Sequence, residues 1–133
     1  IKLGKANILR EGKDVAIIAT GIMVNEAIIA VEQLKEKGID AMVIDMHTIK
    51  PIDEEAILSA AKKTKAIVTA EEHSIIGGLG SAVAEVLAQK YPTKMAFVGQ
   101  EDTYGESGKP EDLKKKYKMT ADDIVKKTVN LLG

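Results

Sequence analysis

Cysteine and tryptophan are absent from this 133-residue chain, and phenylalanine occurs once. Without cysteine there can be no disulfide, thiol nucleophile or Cys-based zinc or iron–sulfur site, and the lack fits a reducing, cytoplasmic setting. One Phe and three Tyr offer few stacking platforms, and a formal net charge of −1 gives no overall basic field. Nucleic-acid binding draws on both features, so no nucleic-acid partner is expected. No apolar run approaches the roughly 20 residues that span a bilayer, and no signal peptide is visible, so no membrane partner is expected either. Arginine is nearly missing: Arg10 stands alone among the 19 basic residues, and the rest are lysines. Arginine is the usual bidentate clamp for phosphate and carboxylate groups, so the chain is poorly equipped to hold a sugar phosphate or nucleotide by itself. The first residue is Ile1, not Met, and the chain is therefore read as a fragment or a processed product.

What is present suits one domain over residues 1–133. Apolar residues make up 45% and charged residues 29%, enough for a single core without disorder. "ANILREGKDVAIIATG" reads as a short strand, a turn at Glu11-Gly12-Lys13 and a strand at Val15 to Thr20, a spacing that suggests an antiparallel pair. From Met23 the period becomes helical, with Met23, Ala27, Ala30, Val31 and Leu34 on one face and Gly38 as the stop. "AMVIDM", "AIVTA" and "MAFVG" are short apolar bursts of strand length. Pro51 holds Lys50 extended, and Asp53 is a suitable N-cap for a helix from Glu54 to about Lys63. Ala82, Val83, Val86 and Leu87 supply the apolar face of a third helix. A short lysine-rich helix follows the turn-rich "QEDTYGESGKP", and Thr120 with Asp123 resembles a capping box before a final helix. The order β-β-α-β-α-β-α-β-α-α predicts a three-layer α/β/α sandwich. Its sheet is mixed and mostly parallel, with about five strands and the first as an antiparallel edge.

"AEEHSIIGGLGSAVAE", Ala70 to Glu85, concentrates the chemistry-bearing residues. As a dinucleotide fingerprint it fails. Gly78 and Gly80 match the first two glycines, but Val83 takes the third place, and Glu71 to Ile76 separate strand from glycines where a tight turn is required. Asp102 lies about 20 residues on, where a ribose-binding acid would sit. The glycines instead read as close-approach positions that admit a helix start, whose N-terminus is a default anion site. Glu71, Glu72 and His73 are the right groups for proton transfer. On an extended chain, however, adjacent residues point to opposite sides, so at most two could share a pocket. A metal reading needs His47 as well, and the two histidines lack ligand spacing. Neither Ser74 nor Ser81 stands in a nucleophile elbow. Asp45 ends a strand, where it either caps a turn or faces a ligand. Lys114-Lys115-Lys116 reads as a solvated helix face. No catalytic, cofactor-binding or metal residue is assigned. The candidate interface or anion site is Glu72, His73, Gly77, Gly78, Gly80 and Ser81.

Four segments in order resemble the C-terminal domain of transketolase and its thiamin diphosphate-dependent relatives. "GKANILREGKDVAIIATG" (4–21) is similar to that domain's opening. "VIDMHTIKPID" (43–53) is similar to its strand-to-loop segment, and "VTAEEHSIIGGLGSAVAEVLA" (68–88) to its glutamate-plus-glycine turn. "GQEDTYGESGKPEDLKKKYKMTADDIVKKTVNLL" (99–132) is similar to its closing segment. The run Asp45 to Pro51 looks closest to the C-terminal subunit of split prokaryotic transketolases, with deoxyxylulose phosphate synthase and the β subunit of 2-oxo acid dehydrogenases as near alternatives. The resemblance implies a parent enzyme of the pentose phosphate type that transfers a two-carbon ketol unit between sugar phosphates with thiamin diphosphate and Mg2+. It implies that both cofactors lie in other domains, because the Gly-Asp-Gly and Asn-Asn motif that holds diphosphate and metal is absent here. The chain alone is then not expected to turn over substrate. The implied partners are the pyrimidine-binding domain of the same subunit, the diphosphate-binding N-terminal subunit, and further copies in a homo-oligomer. Two readings from other classes are a stand-alone module holding an anion at Gly78–Ser81 and an adaptor that binds another protein.

Overall fold

Val15–Ala19 is fully buried along all five residues, which only a central strand covered on both faces requires. A computed structural model of the chain describes residues 4–74, 78–100 and 119–133. Five strands form one sheet: β1 Asn7–Arg10, β2 Val15–Ala19, β3 Ala41–Asp45, β4 Ile67–Ser74 and β5 Met95–Gln100, in the order β1-β3-β2-β4-β5. β2, β3, β4 and β5 run parallel, and β1 closes one edge antiparallel to β3. The three-layer α/β sandwich read from the sequence is therefore present, with its antiparallel first strand. The suggested pairing of β1 with β2 is not. The Glu11–Lys13 turn carries the chain over the start of β3 instead. A Cβ at Gly12 would collide with the backbone of Ala41 and Met42, so β2 enters on the far side of β3.

Helices α1 Met23–Glu36, α2 Glu54–Lys63, α3 Leu79–Lys90 and α4 Ala121–Leu132 supply the outer layers. Alternation along the strands divides the core in two. Val15, Ile17, Val43 and Val68 pack with Leu34 of α1 and Ile124 of α4. Ala16, Ile18, Met42, Ile44 and Ile67 pack with Ile57 of α2 and Val83 and Leu87 of α3. Each fully buried branched side chain contributes about 1.5–3 kcal/mol.

The helix ends follow their sequence signals. α1 stops in a Schellman arrangement: the N–H of Ile39 donates to Leu34 O at 2.9 Å, the N–H of Gly38 donates to Lys35 O at 3.0 Å, and Gly38 has φ +77°. Asp53 caps α2 by accepting from the Ala56 N–H at 3.1 Å, and its other oxygen accepts from the Ala6 N–H at 2.9 Å. The same carboxylate thus starts a helix and pins the segment leading into β1. The Lys50–Pro51 peptide before it is cis, in a turn. At α4 the Asp123 carboxylate accepts from the Thr120 N–H at 3.0 Å and hydroxyl at 2.6 Å, the capping box expected there. Glu26 of α1 accepts from the Ala121 N–H at 2.9 Å and ties the two helices of that layer together. The predicted lysine-rich helix, the Gly105–Pro110 turn, Asp102 and Lys114–Lys116 lie outside the described residues.

Candidate functional site

The connection from β2 through α1 leads to β3 on one side, whereas β4 continues through α3 to β5 on the other. The carboxyl ends of β2 and β4 therefore flank the point where the winding reverses, the place where open α/β sheets form a crevice. Gly21 follows β2 there, and Glu71, Glu72 and His73 are the last residues of β4 before Ser74.

Those three residues read as loop in the sequence, but they belong to the strand. β4 runs to Ser74, and its register against β5 shifts between Ala70 and Ser74. Extended backbone sends successive side chains to opposite faces, and the two glutamates part accordingly. Glu71 turns to the α2–α3 face and is 2% exposed. Its Oε1 accepts from the Leu79 N–H and its Oε2 from the Gly80 N–H, both at 2.8 Å. The internal carboxylate thus takes the first amides of α3, where the positive end of the helix dipole favours a negative charge. Two of the amides that an outside anion would use at Gly78–Ser81, those of Leu79 and Gly80, are occupied by Glu71. Glu72 turns the other way and sits half-buried with its Oε1 against Gly21, which has φ +57° and no room for a side chain.

The remaining candidates separate. Gly78 is the N-cap of α3, with φ −100° and ψ −152°, an extended conformation open to any residue. Gly80 is the glycine that packing demands: a Cβ there would stand 3.0 Å from Thr69 Oγ1 and 3.1 Å from Phe97 Cδ1. Ser81 is half-buried in the first turn of α3 and lines a cleft with Ile49, Lys50, Ile52 and Glu54. His73 lies on β4, its side chain outside the described set, as is Gly77. Asp45 ends β3 beside Ala19, and His47 is half-buried just beyond it. Among the described residues no three His, Asp or Glu side chains converge as a metal site would require.

The lone arginine serves the fold. Arg10 Nη1 donates to Asp40 Oδ1 at 2.9 Å, to Ala41 O at 2.6 Å and to Glu11 O at 3.0 Å. This knot lies at the start of β3, the end of the sheet opposite the crevice. The Arg10 hydrogen bond holds the Asp40 carboxyl below its ordinary value, and the Lys13 N–H, donating at 3.1 Å, adds to the effect. Sequence reasoning missed Asp40 and the Glu71 cap. Asp40 lies 30 residues from Arg10, and Glu71 reaches eight and nine residues on to the first turn of α3, both beyond the span of a local capping pattern.

The family model for the C-terminal domain of transketolase matches residues 4–124. The chain belongs to the transketolase C-terminal domain family. It is 55% identical over 124 residues to the 6-deoxy-6-sulfo-D-fructose transketolase subunit SqwH of Clostridium sp. (strain MSTE9), covering 93% of this chain and 38% of that protein. A putative transketolase C-terminal section of Methanocaldococcus jannaschii is 50% identical over 128 residues, covering 95% of this chain and 39% of that one. Among solved structures, a split-gene transketolase described as an inactive beta4 tetramer superposes with a TM-score of 0.95 at 49% identity, covering 99% of this chain and 43% of that one. The chain thus spans about two-fifths of the length of these relatives. The described residues do not assemble a site for thiamin diphosphate or a divalent metal, which the family implies. The lone arginine is tied to Asp40, the α3 N-terminus is filled by Glu71, and no acidic cluster for a metal is formed among the described residues. No helix among these residues is long and apolar enough to cross a membrane.

Proposed function

We propose that this domain is the supporting and assembly part of a cytoplasmic enzyme that transfers a two-carbon ketol unit between sugar phosphates. Thiamin diphosphate and Mg2+ are held by other domains: a pyrimidine-binding domain of the same subunit and a diphosphate-binding partner subunit. Copies of the chain associate in the assembled enzyme. The observation that carries the reading is the match of nearly the whole chain to two-fifths of longer transketolase subunits. The internal use of Arg10 and of the α3 N-terminus supports it, because phosphate clamping then falls to other domains. The donor sugar is also chosen outside this chain: SqwH, for all its similarity, is named for a sulfonated fructose. The crevice at the carboxyl ends of β2 and β4, where Glu72 lies, faces the neighbouring domain or subunit.

A mixing assay tests this. The chain alone, the chain extended upstream through the pyrimidine-binding domain, and that protein with the diphosphate-binding subunit each receive thiamin diphosphate, Mg2+, a ketose phosphate and an aldose phosphate. Turnover only in the complete mixture is expected. Turnover or tight thiamin diphosphate binding by the 133-residue chain alone would overturn the assignment.

A further inference from the structure

A helix N-cap needs one side-chain oxygen, and Ser, Asn and Asp fill the place about equally well. Asp53 brings two, is 8% exposed, and uses both. Its Oδ1 accepts from the Ala56 N–H at 3.1 Å and starts α2. Its Oδ2 accepts from the Ala6 N–H at 2.9 Å, 47 residues back along the chain. The two residues before Ala6 meet the same short stretch. Gly4 has φ +77°, and a Cβ there would stand 3.1 Å from Pro51 Cγ. Lys5 Nζ lies 3.3 Å from Glu55 Oε2. Successive residues of the segment entering the domain are thus fitted to residues 51–55, while Ala6, Ile49 and Ile52 pack against the α2–α3 half of the core. The Lys5–Glu55 pair is exposed at both ends and holds little. The buried carboxylate is the grip, because α2 fixes its position and the positive end of that helix favours its charge.

The grip sits at a particular end of the sheet. Asn7, the first residue of β1, pairs with Asp45, the last of β3, and Asp45 pairs with Ala19, the last of β2. The chain therefore enters at the carboxyl ends of the parallel strands, two strand spacings, about 10 Å, from the end of β2 at the crevice. We propose that Asp53 is a positioning residue: by holding the entry segment against the start of α2, it fixes the part of the subunit that precedes this domain over the crevice at Gly21 and Glu72. The proposal rests on the reading above that the same subunit continues upstream. Free extended chain adds about 3.3–3.6 Å of reach per residue, so releasing residues 4–6 would let the point of attachment wander by about 10 Å. An N-cap alone does not require the second oxygen, and the tie to the entry segment gives it a use.

Trypsin cuts after lysine, and the peptide after Lys5 carries the N–H that Asp53 accepts. Cleavage at Lys5–Ala6 in the subunit extended upstream therefore reads the grip, and hydrogen exchange of residues 19–24 in the same protein reads the pose over the crevice. Asp53→Asn keeps an oxygen for the Ala56 N–H but sets an amide N–H2 against the Ala6 N–H. It should speed cleavage after Lys5 by about tenfold and exchange at 19–24 by about threefold or more, with exchange in α4 unchanged. Asp40→Asn, which loosens the opposite end of the sheet, should change neither. Gly4→Ala lies ahead of β1, spares the cap and strains the same segment, so it should act in the same direction. Cleavage unchanged in folded Asp53→Asn, or in Gly4→Ala if the first does not fold, would overturn the proposal. Faster cleavage with unchanged exchange at 19–24 would overturn it too, since the grip would then be local to the domain. So would equal effects from Asp40→Asn, which would reduce the role to stability. Neither readout uses turnover, so an inactive complete mixture counts against the enzymatic reading and leaves this one standing.

Discussion

Glu71 Oε2 accepts a hydrogen bond from the backbone N–H of Gly80 at 2.8 Å, across nine residues of sequence. Together with the bond from Leu79 it makes a buried carboxylate the N-terminal anchor of α3. Replacing it by Gln keeps the shape but loses the charge and turns an amide N–H2 toward one of the two donors. Glu71→Gln is expected to cost about 1–3 kcal/mol, read as a lower urea midpoint at unchanged slope. A variant as stable as the parent would show that the cap contributes nothing in solution.

Gly80 and Thr69 make a second test, in opposite directions. Gly80→Ala should cost about 1–3 kcal/mol, because its Cβ meets Thr69 Oγ1 and the Phe97 ring and the surrounding core cannot yield freely. Thr69 Oγ1 is buried with no hydrogen-bond partner among the described residues. Thr69→Val should therefore be neutral or stabilise by up to about 1–2 kcal/mol, since it removes an unsatisfied hydroxyl at constant shape. Thermal melts of both variants decide the matter, and a destabilised Thr69→Val would contradict it.

At the crevice, Gly21→Ala meets two obstacles. The left-handed backbone, φ +57°, costs a non-glycine residue about 1–2 kcal/mol. The new methyl also collides with the Glu72 carboxylate. Adding Glu72→Ala should recover the steric part and leave the backbone part. The coupling energy from the four proteins of this cycle measures the contact, and strict additivity would mean that Glu72 does not lie there.

Asp40 predicts a pH dependence. Its folded pKa is depressed, chiefly by the hydrogen bond from Arg10, so its contribution to stability is fully present above the unfolded value of about 3.9. That contribution fades as the pH falls from there through the lower folded value. Urea midpoints measured from neutral pH down into this acid range should fall less steeply for Asp40→Asn than for the parent. Because both side chains of the pair are more than a third exposed, the difference should also shrink in high salt.

Much of the fold was legible in the sequence because it is carried by short-range signals. Val15–Ala19 announces a strand covered on both faces, Met23 to Leu34 a helix, Asp53 and Thr120–Asp123 two helix starts, and Gly38 a helix stop. Each of these depends on neighbours within a turn or two. The β1–β2 connection misled because turn length reports how far the chain travels and not which strand lies beneath it. β3, which intervenes, is contributed from about 30 residues later.

The candidate site was less legible, and the tandem glutamates show why. Strand alternation alone dictated that Glu71 and Glu72 face opposite ways. Whether the positions were strand at all depended on pairing, and the extension of β4 to Ser74 decided it. Gly78 and Gly80 are indistinguishable as glycines in a row, yet only the packing of α3 on Thr69 and Phe97 makes Gly80 obligatory.

By itself, the sequence determined the class of fold, the places where helices begin and end, and the family, since periodicity, capping chemistry and motif order are properties of neighbouring residues. Only the tertiary structure decided that Arg10 locks onto Asp40, that Glu71 caps the start of α3, and that Ile28 and Ile29 of α1 stand half exposed. Each of these depends on which distant backbone or solvent a side chain meets, and that is set by the docking of layers.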